Sequence, residues 1–315
     1  MIFLAPLQGY TDYVFRNAYA RHFSGIDMAI APFVSLVKGK KVKLTHLKDL
    51  LPENNRGGMK IIPQVMGNDP ELFITMAKSL KDLGYDSMNW NLGCPVRAIA
   101  RKKRGSGLLP FPGDIDSILS KIIPAMDIKF SIKTRLGYES VEEANALMEA
   151  YNRYPLDFLV IHPRVGTQMY EGDIHYSVFE EWLRKAKMPV IYSGDIWTRE
   201  IYLDMKTRFP EVIHWMLGRG LFKDLFLAEK ISGVLSPEDA DARFWNFQFD
   251  LLDALQQRML REKNVLNKMK EYWSMWAEMF KNKDKILQAL YPLTHVKELY
   301  HSFHEIQQYA ALKAG

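Results

Sequence analysis

A single cysteine, Cys94, stands in 315 residues. One thiol forms no intrachain disulfide, and it cannot supply a Cys-rich zinc site or an iron–sulfur cluster, each of which takes several sulfurs. No apolar run approaches the roughly 20 residues that cross a bilayer, and the opening MIFLAP has neither the basic flank nor the apolar length of a secretory signal. Sixteen methionines beside one cysteine fit a reducing compartment, so a cytoplasmic location is expected, with no membrane and no metal. Neither sign of charge is in large excess: 42 Lys and Arg oppose 37 Asp and Glu, a net charge of +5, and the pI is about 9.0. With 48% hydrophobic and 25% charged residues the chain is neither disordered nor collagenous, and its length suits one barrel-sized domain or two smaller ones. A monomer is the default expectation.

What the sequence does contain is a repeated alternation. Short apolar, β-rich runs recur at residues 2–6, 28–34, 60–66, 86–92, 129–135, 157–163, 188–193 and 212–217. Segments of helical periodicity lie between them, at 70–83, 115–123, 141–151, 178–187, 198–208 and 221–231. Strand followed by helix, eight times over, predicts a (β/α)8 barrel, the TIM barrel, over residues 1–231. From residue 232 the strands stop. Ser236-Pro237-Glu238-Asp239 marks a helix entry, and Phe244, Phe247, Leu251, Leu255, Met259, Tyr272, Trp273, Trp276 and Phe280 recur at spacings of three and four. An all-α helical bundle over 232–315 is expected, with this stripe as its core.

A barrel of this kind works at the C-terminal ends of its strands. Polar residues gather there: Gln64, Asn91 with Cys94, Lys133 with Arg135, His162 with Arg164, Ser193-Gly194-Asp195, and Gly218-Arg219-Gly220. Glycine-rich turns after the last two strands are a common phosphate site, because backbone N–H groups can approach the anion and Arg219 adds a counter-charge. A nucleotide-like cofactor is implied. Were it flavin mononucleotide (FMN), Lys133 would stabilise the negative charge that builds on the ring's pyrimidine end on reduction, and the small segment Ala5-Pro6-Leu7 would let the ring approach the backbone. Gln64 either bonds the ring edge or satisfies buried backbone. Cys94 is either packed or reactive.

Taken in order, APLQGYTD, Gln64 in PQVMGNDP, NLGCP with Cys94, SIKTRLG with Lys133, IHPRVGTQMYEG with His162, VIYSGDI and MLGRG resemble the tRNA-dihydrouridine synthases from one end of the barrel to the other. The helical tail matches that family's layout. The resemblance implies that reduced FMN gives hydride to one carbon of the C5–C6 double bond of a D-loop uridine in tRNA, while Cys94, as general acid, protonates the other. A thiol of pKa near 8.5 is mostly protonated at neutral pH and suits that role. The resemblance further implies NADPH as reductant. FMN would be held by Gln64, Lys133, His162, Ser193, Gly194, Asp195, Gly218 and Arg219, with Asn91 on the target base. Pro163 and Val165 depart from the family's usual Gly and Thr, and Ser193 from its usual Asn; Pro163 is expected to restrict a loop carrying Arg164, a further substrate contact. Pro32-Phe33-Val34 lacks the acidic residue often found before this segment in the family, and Gly194–Trp197 resembles the subgroup acting on uridine 16.

Charge is uneven along the chain. Arg97, Arg101, Lys102, Lys103 and Arg104 follow Cys94, and Lys38, Lys40, Lys41, Lys43, His46 and Lys48 crowd an earlier loop. Both clusters follow strands, near the expected mouth, where positive potential attracts an anionic polymer such as RNA; Arg97 and Arg101 are the candidate contacts. Tyr170 is a candidate for stacking on an extruded base. Two rival readings remain: an FMN barrel reducing a free small molecule of the dihydroorotate or enoate type, or a non-catalytic RNA-binding barrel.

Overall fold

The computed structural model describes residues 1–37 and 47–313, so Lys38, Lys40, Lys41, Lys43 and His46 lie outside the described residues. Ten parallel strands form one sheet: β1 (Ile2–Leu4), β2 (Met28–Ile30), β3 (Val34–Ser35), β4 (Lys60–Ile62), β5 (Gln64–Met66), β6 (Ser87–Leu92), β7 (Lys129–Gly137), β8 (Leu159–Val165), β9 (Val190–Ser193) and β10 (His214–Leu217). These are eight staves. The runs predicted at 28–34 and 60–66 are each interrupted, around Pro32 and at Pro63, because proline brings no N–H to a ladder. β2 pairs with β4 and β3 with β5, so the halves of the second stave lie along the halves of the third and the barrel closes. Ala31 N–H donates to Ile62 O (2.9 Å) and Asn89 N–H to Pro63 O (2.8 Å) across the interruptions.

Around the barrel run α1 (Tyr13–His22), α2 (Pro70–Asp82), α3 (Arg97–Ala100), α4 (Pro112–Ile122), α5 (Ala144–Tyr151), α6 (Tyr176–Lys185), α7 (Arg199–Arg208), α8 (Arg219–Lys223) and α9 (Leu227–Ser232). α1 is outside the predicted spans; Asp12 caps it by accepting from the Val14 and Phe15 amides, and five of its ten residues are buried. Between β3 and β4 the described residues contain no α-helix. Buried Arg16 instead ties the loop down, donating to Thr11 O, to Asp49 and to the Asn55 side chain. The span predicted at 221–231 is two helices separated at Asp224.

Period-two alternation explains where the site is. Phe3, Ile30, Ile62, Phe158, Val160, Ile191 and Met216 fill the barrel as an apolar cluster apart from the main core. Two residues further along the same inward faces come Ala5, Gln64, His162, Ser193 and Gly218, and Ser131 and Lys133 succeed one another on β7. Along five staves the inward side chain therefore changes from apolar to polar or small as the strand rises. β8 also holds one residue more than β7 between the pairs Arg135–His162 and Gly137–Val165, a bulge that re-aims side chains beside the mouth. Pro163 lies in that bulge, inside the strand. Arg164 is thus on β8 and not on a loop restricted by the proline.

The helical region follows as α10 (Ala240–Arg258), α11 (Glu262–Trp276), α12 (Lys283–Leu290) and α13 (Val296–Tyr309). The predicted stripe is buried except Met259, which is half-buried beyond the end of α10. Stacked rings join it to the barrel: Phe15 to Phe222 (4.8 Å between centroids), Phe222 to Tyr272 (6.0 Å) and Tyr272 to Trp276 (4.7 Å). A buried ion pair adds direction. Glu229, 1% exposed, accepts from Arg243 (2.7 and 3.0 Å) and from the backbone and hydroxyl of Ser24. No helix of the described residues is long and apolar enough to cross a membrane.

Removing one partner of a buried pair leaves the other charge uncompensated, at a cost of roughly 3 kcal/mol. Glu229→Ala is expected to lower Tm by several degrees, and Glu229→Gln, which still accepts hydrogen bonds, by less; equal losses in a thermal melt would contradict the ionic role.

Candidate active site

At the C-terminal ends of the strands lies a cavity of about 420 Å³, within the roughly 300–1,000 Å³ usual for small-molecule sites. Its wall brings together Ala5, Pro6, Leu7, Asn91, Cys94, Lys133, His162, Tyr170, Ser193, Gly194, Asp195, Gly218 and Arg219, all expected from the sequence.

Cys94 is held from both sides. Asn91 Oδ1 accepts from the amides of Gly93 (3.1 Å) and Cys94 (2.9 Å), and Cys94 O accepts from the backbone and the hydroxyl of Ser106, both at 3.0 Å. Burial pushes the thiol above its ordinary value; a hydrogen bond from the Val96 backbone and the cations of Arg135 and Lys133 only partly oppose this. The thiol is therefore a protonated donor at neutral pH.

Around it are cations with little water. Burial, then repulsion from Arg135, lowers the Lys133 ammonium to about 7. Burial likewise lowers Arg135, to about 10, while its guanidinium donates from Nε to Gly93 O (3.0 Å), from Nη1 to Val165 O (2.9 Å) and from Nη2 to Met169 O. His162 is held well below its ordinary value by burial and by the cations of Arg135, Lys133, Arg164 and Arg219. Its neutral ring accepts from Arg164 Nη1 at Nε2 (3.3 Å) and stacks on Tyr170.

The opposite end is built for an anion. Among the described residues the backbone N–H groups of Gly194, Asp195 and Gly218 have no acceptor within the chain. Gly220 cannot carry a side chain, since a Cβ would collide with Ile196 O. Arg219 is sandwiched between the rings of Tyr170 (4.7 Å) and Trp197 (4.9 Å) and donates to Asp195 (2.7 Å), which also accepts from Arg164 (2.6 Å). Two guanidinium groups on one carboxylate leave net positive charge for a ligand.

Four expected site residues do not reach the cavity wall. Gln64 is fully buried: its register sets it beside Asn89, and its amide donates to Asn89 (2.8 Å) and accepts from Asn91 (2.8 Å). It supports Asn91, whose own amide is spent on Gln64 and the Cys94 loop. Arg164 is buried and engaged with Asp195, His162 and Gly172 O. Arg97 and Arg101 are exposed outside the cavity. Conversely, Tyr10, Phe33, Arg135, Trp197 and Met275 line it without having been assigned a role. Arg135 was legible, two residues beyond Lys133 on the same face; nothing local marks Met275, which α11 delivers from the helical region.

Alkylation of Cys94 by iodoacetamide in the cofactor-free protein is expected to rise with pH through a midpoint above the roughly 8.5 of a free thiol. A midpoint below 8 would contradict burial as the dominant influence.

The dihydrouridine synthase family profile matches residues 3–311, barrel and helical region together. Similar proteins include the tRNA-dihydrouridine(16) synthase of Aquipseudomonas alcaligenes, 28% identical over 294 residues, which are 89% of this chain and 91% of the relative. The tRNA-dihydrouridine synthase B of Pasteurella multocida (strain Pm70) is 29% identical over 251 residues, 75% of this chain and 72% of the relative. Among solved structures, morphinone reductase superposes with a TM-score of 0.50 at 14% identity, covering 75% of this chain and 86% of its own. An amine oxidase acting on 6-hydroxypseudooxynicotine, from Pseudomonas geniculata N1, does so with 0.54 at 10% identity, covering 76% and 48%. These two likenesses concern the barrel fold alone. With the family pattern running through both the barrel mouth and the helices beside it, the chain belongs to the dihydrouridine synthase family.

Proposed function

We propose that this protein holds FMN in the barrel mouth and reduces the C5–C6 double bond of a D-loop uridine in tRNA, with NADPH as the source of reducing equivalents. The observation that carries this reading is a protonated thiol, Cys94, fixed at the wall of a cavity whose other end is an anion cradle. The residues suit FMN. The free amides of Gly194, Asp195 and Gly218, with Arg219, fit its phosphate, and the small residues Ala5 and Gly218 line the wall beside them. When bound and reduced, FMN supplies hydride. Lys133 would supply a cation to balance the anionic end of the ring, and neutral His162 would offer a hydrogen bond without adding charge. Cys94 delivers the proton from Sγ to the carbon that hydride does not take, and Asn91 keeps the thiol in place through the Gly93 and Cys94 amides. Residues 1–231 serve as the catalytic unit and 232–315 as the tRNA-binding unit. The target base leaves its stack to enter the mouth, where Tyr170 can receive it.

Incubation of the FMN-loaded protein with NADPH and unmodified tRNA is expected to yield dihydrouridine, detected by nucleoside mass spectrometry. Flavin without any tRNA product would favour the small-molecule barrel. Cys94→Ala is expected to lose about 10²–10⁴ in rate, the usual contribution of a positioned acid; wild-type turnover would remove Cys94 from the role.

Lys133 gives a pH signature. Its cation predominates below about 7. FMN affinity is therefore expected to be full below that pH and to fall as pH rises through it, by up to roughly one log unit per pH unit until the pKa of the complex is reached. Lys133→Arg, charged throughout, should flatten the profile in a fluorescence titration, and an unchanged slope would exclude Lys133 as the titrating group.

A further inference from the structure

Among the described residues, the chain from residue 97 to 107 is a cationic surface joined directly to Cys94. Arg97, Arg101, Lys102 and Arg104 form no ion pair among the described residues, whereas Lys103 between them pairs with Asp114 (3.4 Å). The segment is built, not slack. Lys103, with φ +50°, and Gly105, with φ +55°, both take the left-handed conformation, rare for a lysine. Asn68, on the loop after β5, holds the turn by donating to Lys103 O (3.1 Å) and Lys102 O (3.4 Å). Behind the turn, Gly105 lies so close to Cys94 that a Cβ would stand 2.6 Å from its carbonyl oxygen. Ser106, fully buried, then donates twice to that oxygen, and Gly166 of the loop bearing Tyr170 lies against its side chain. A shift of the basic turn must therefore move the Cys94 peptide.

We propose that Arg97, Arg101, Lys102 and Arg104 form a docking arm for the RNA sugar-phosphate backbone next to the target base, and that Ser106 is a positioning residue that transmits the arm's seating to Cys94. This rests on the function proposed above and adds a coupling to it: the acid is aligned when phosphates occupy the arm. Unpaired cations suit phosphates, which bring charge without needing a fixed sequence. The path from the turn to Sγ is short, backbone-borne and hydrogen-bonded, so a displacement of about 1 Å reaches the acid, enough to change a rate by roughly 100-fold.

The test uses the FMN-loaded full chain with unmodified tRNA. Arg101→Ala combined with Lys102→Ala is expected to weaken tRNA binding, followed by fluorescence anisotropy, at least about tenfold, and to reduce the slope of log Kd against log salt by about 1.4, two single-strand phosphate contacts. Ser106→Ala should lower kcat between about tenfold and 100-fold while leaving KM for tRNA and FMN content unchanged. Should Ser106→Ala fold poorly, Asn68→Ala, which frees the turn without touching the core or Cys94, should lower kcat in the same direction. An unchanged Kd and salt slope in the arm variant, or a loss in Ser106→Ala and Asn68→Ala confined to KM, would overturn the proposal while dihydrouridine formation by the wild type still stands. Absence of product from the wild type would instead defeat the function proposed above, and the salt slope would still report on the arm.

Discussion

The guanidinium of Arg135 is the fastening on which the mouth of the barrel depends. It is 1% exposed, and it donates to the backbone carbonyls of Gly93, before Cys94, of Val165 at the end of β8, and of Met169, before Tyr170. A planar fork reaches acceptors in several directions at once, which a lysine's point charge does not do with the same rigidity. Its charge is felt throughout the site. It lowers Lys133, His162 and, against burial, Cys94, so one buried cation sets geometry and protonation together.

Burying that much positive charge has a cost, and the structure offsets it unevenly. Arg164 and Arg219 share Asp195, and Arg135 has carbonyls, but among the described residues no carboxylate pairs with Lys133, which is pushed toward neutrality. Net positive charge at this end of the cavity suits an anionic ligand. The same reasoning explains why neutral His162 belongs here: a protonated imidazole would be a fifth positive group beside the four nearby cations.

The helical region is part of the site and not an appendage to it. Phe222 follows the glycine-rich turn of α8, lines the cavity, and stacks between Phe15 of α1 and Tyr272 of α11. Met275 reaches the cavity from the same α11. Positions of the phosphate-side turn, the first barrel helix and the helical core are thereby interdependent, with the Glu229–Arg243 pair restricting rotation between α9 and α10.

The alternation of apolar runs and helical periods determined the barrel, and the strand-end residues determined its mouth, because period-two alternation is local and any inward residue above the apolar layer of a closed barrel must face one axis. The stripe from Phe244 to Phe280 determined a helical core for the same local reason. What a single strand does not contain is its register against the next. Pairing Gln64 with Asn89 sets its amide on Asn89 and Asn91 and makes it a support for Asn91, and the bulge of β8 opposite Leu136 places Pro163 within a strand and Arg164 among buried partners. Arg16 of α1 ties down Asp49 across 33 residues of chain, and Met275 enters the cavity wall from a helix far along the chain. Such contacts depend on distances between elements, which only close packing of the whole chain decides.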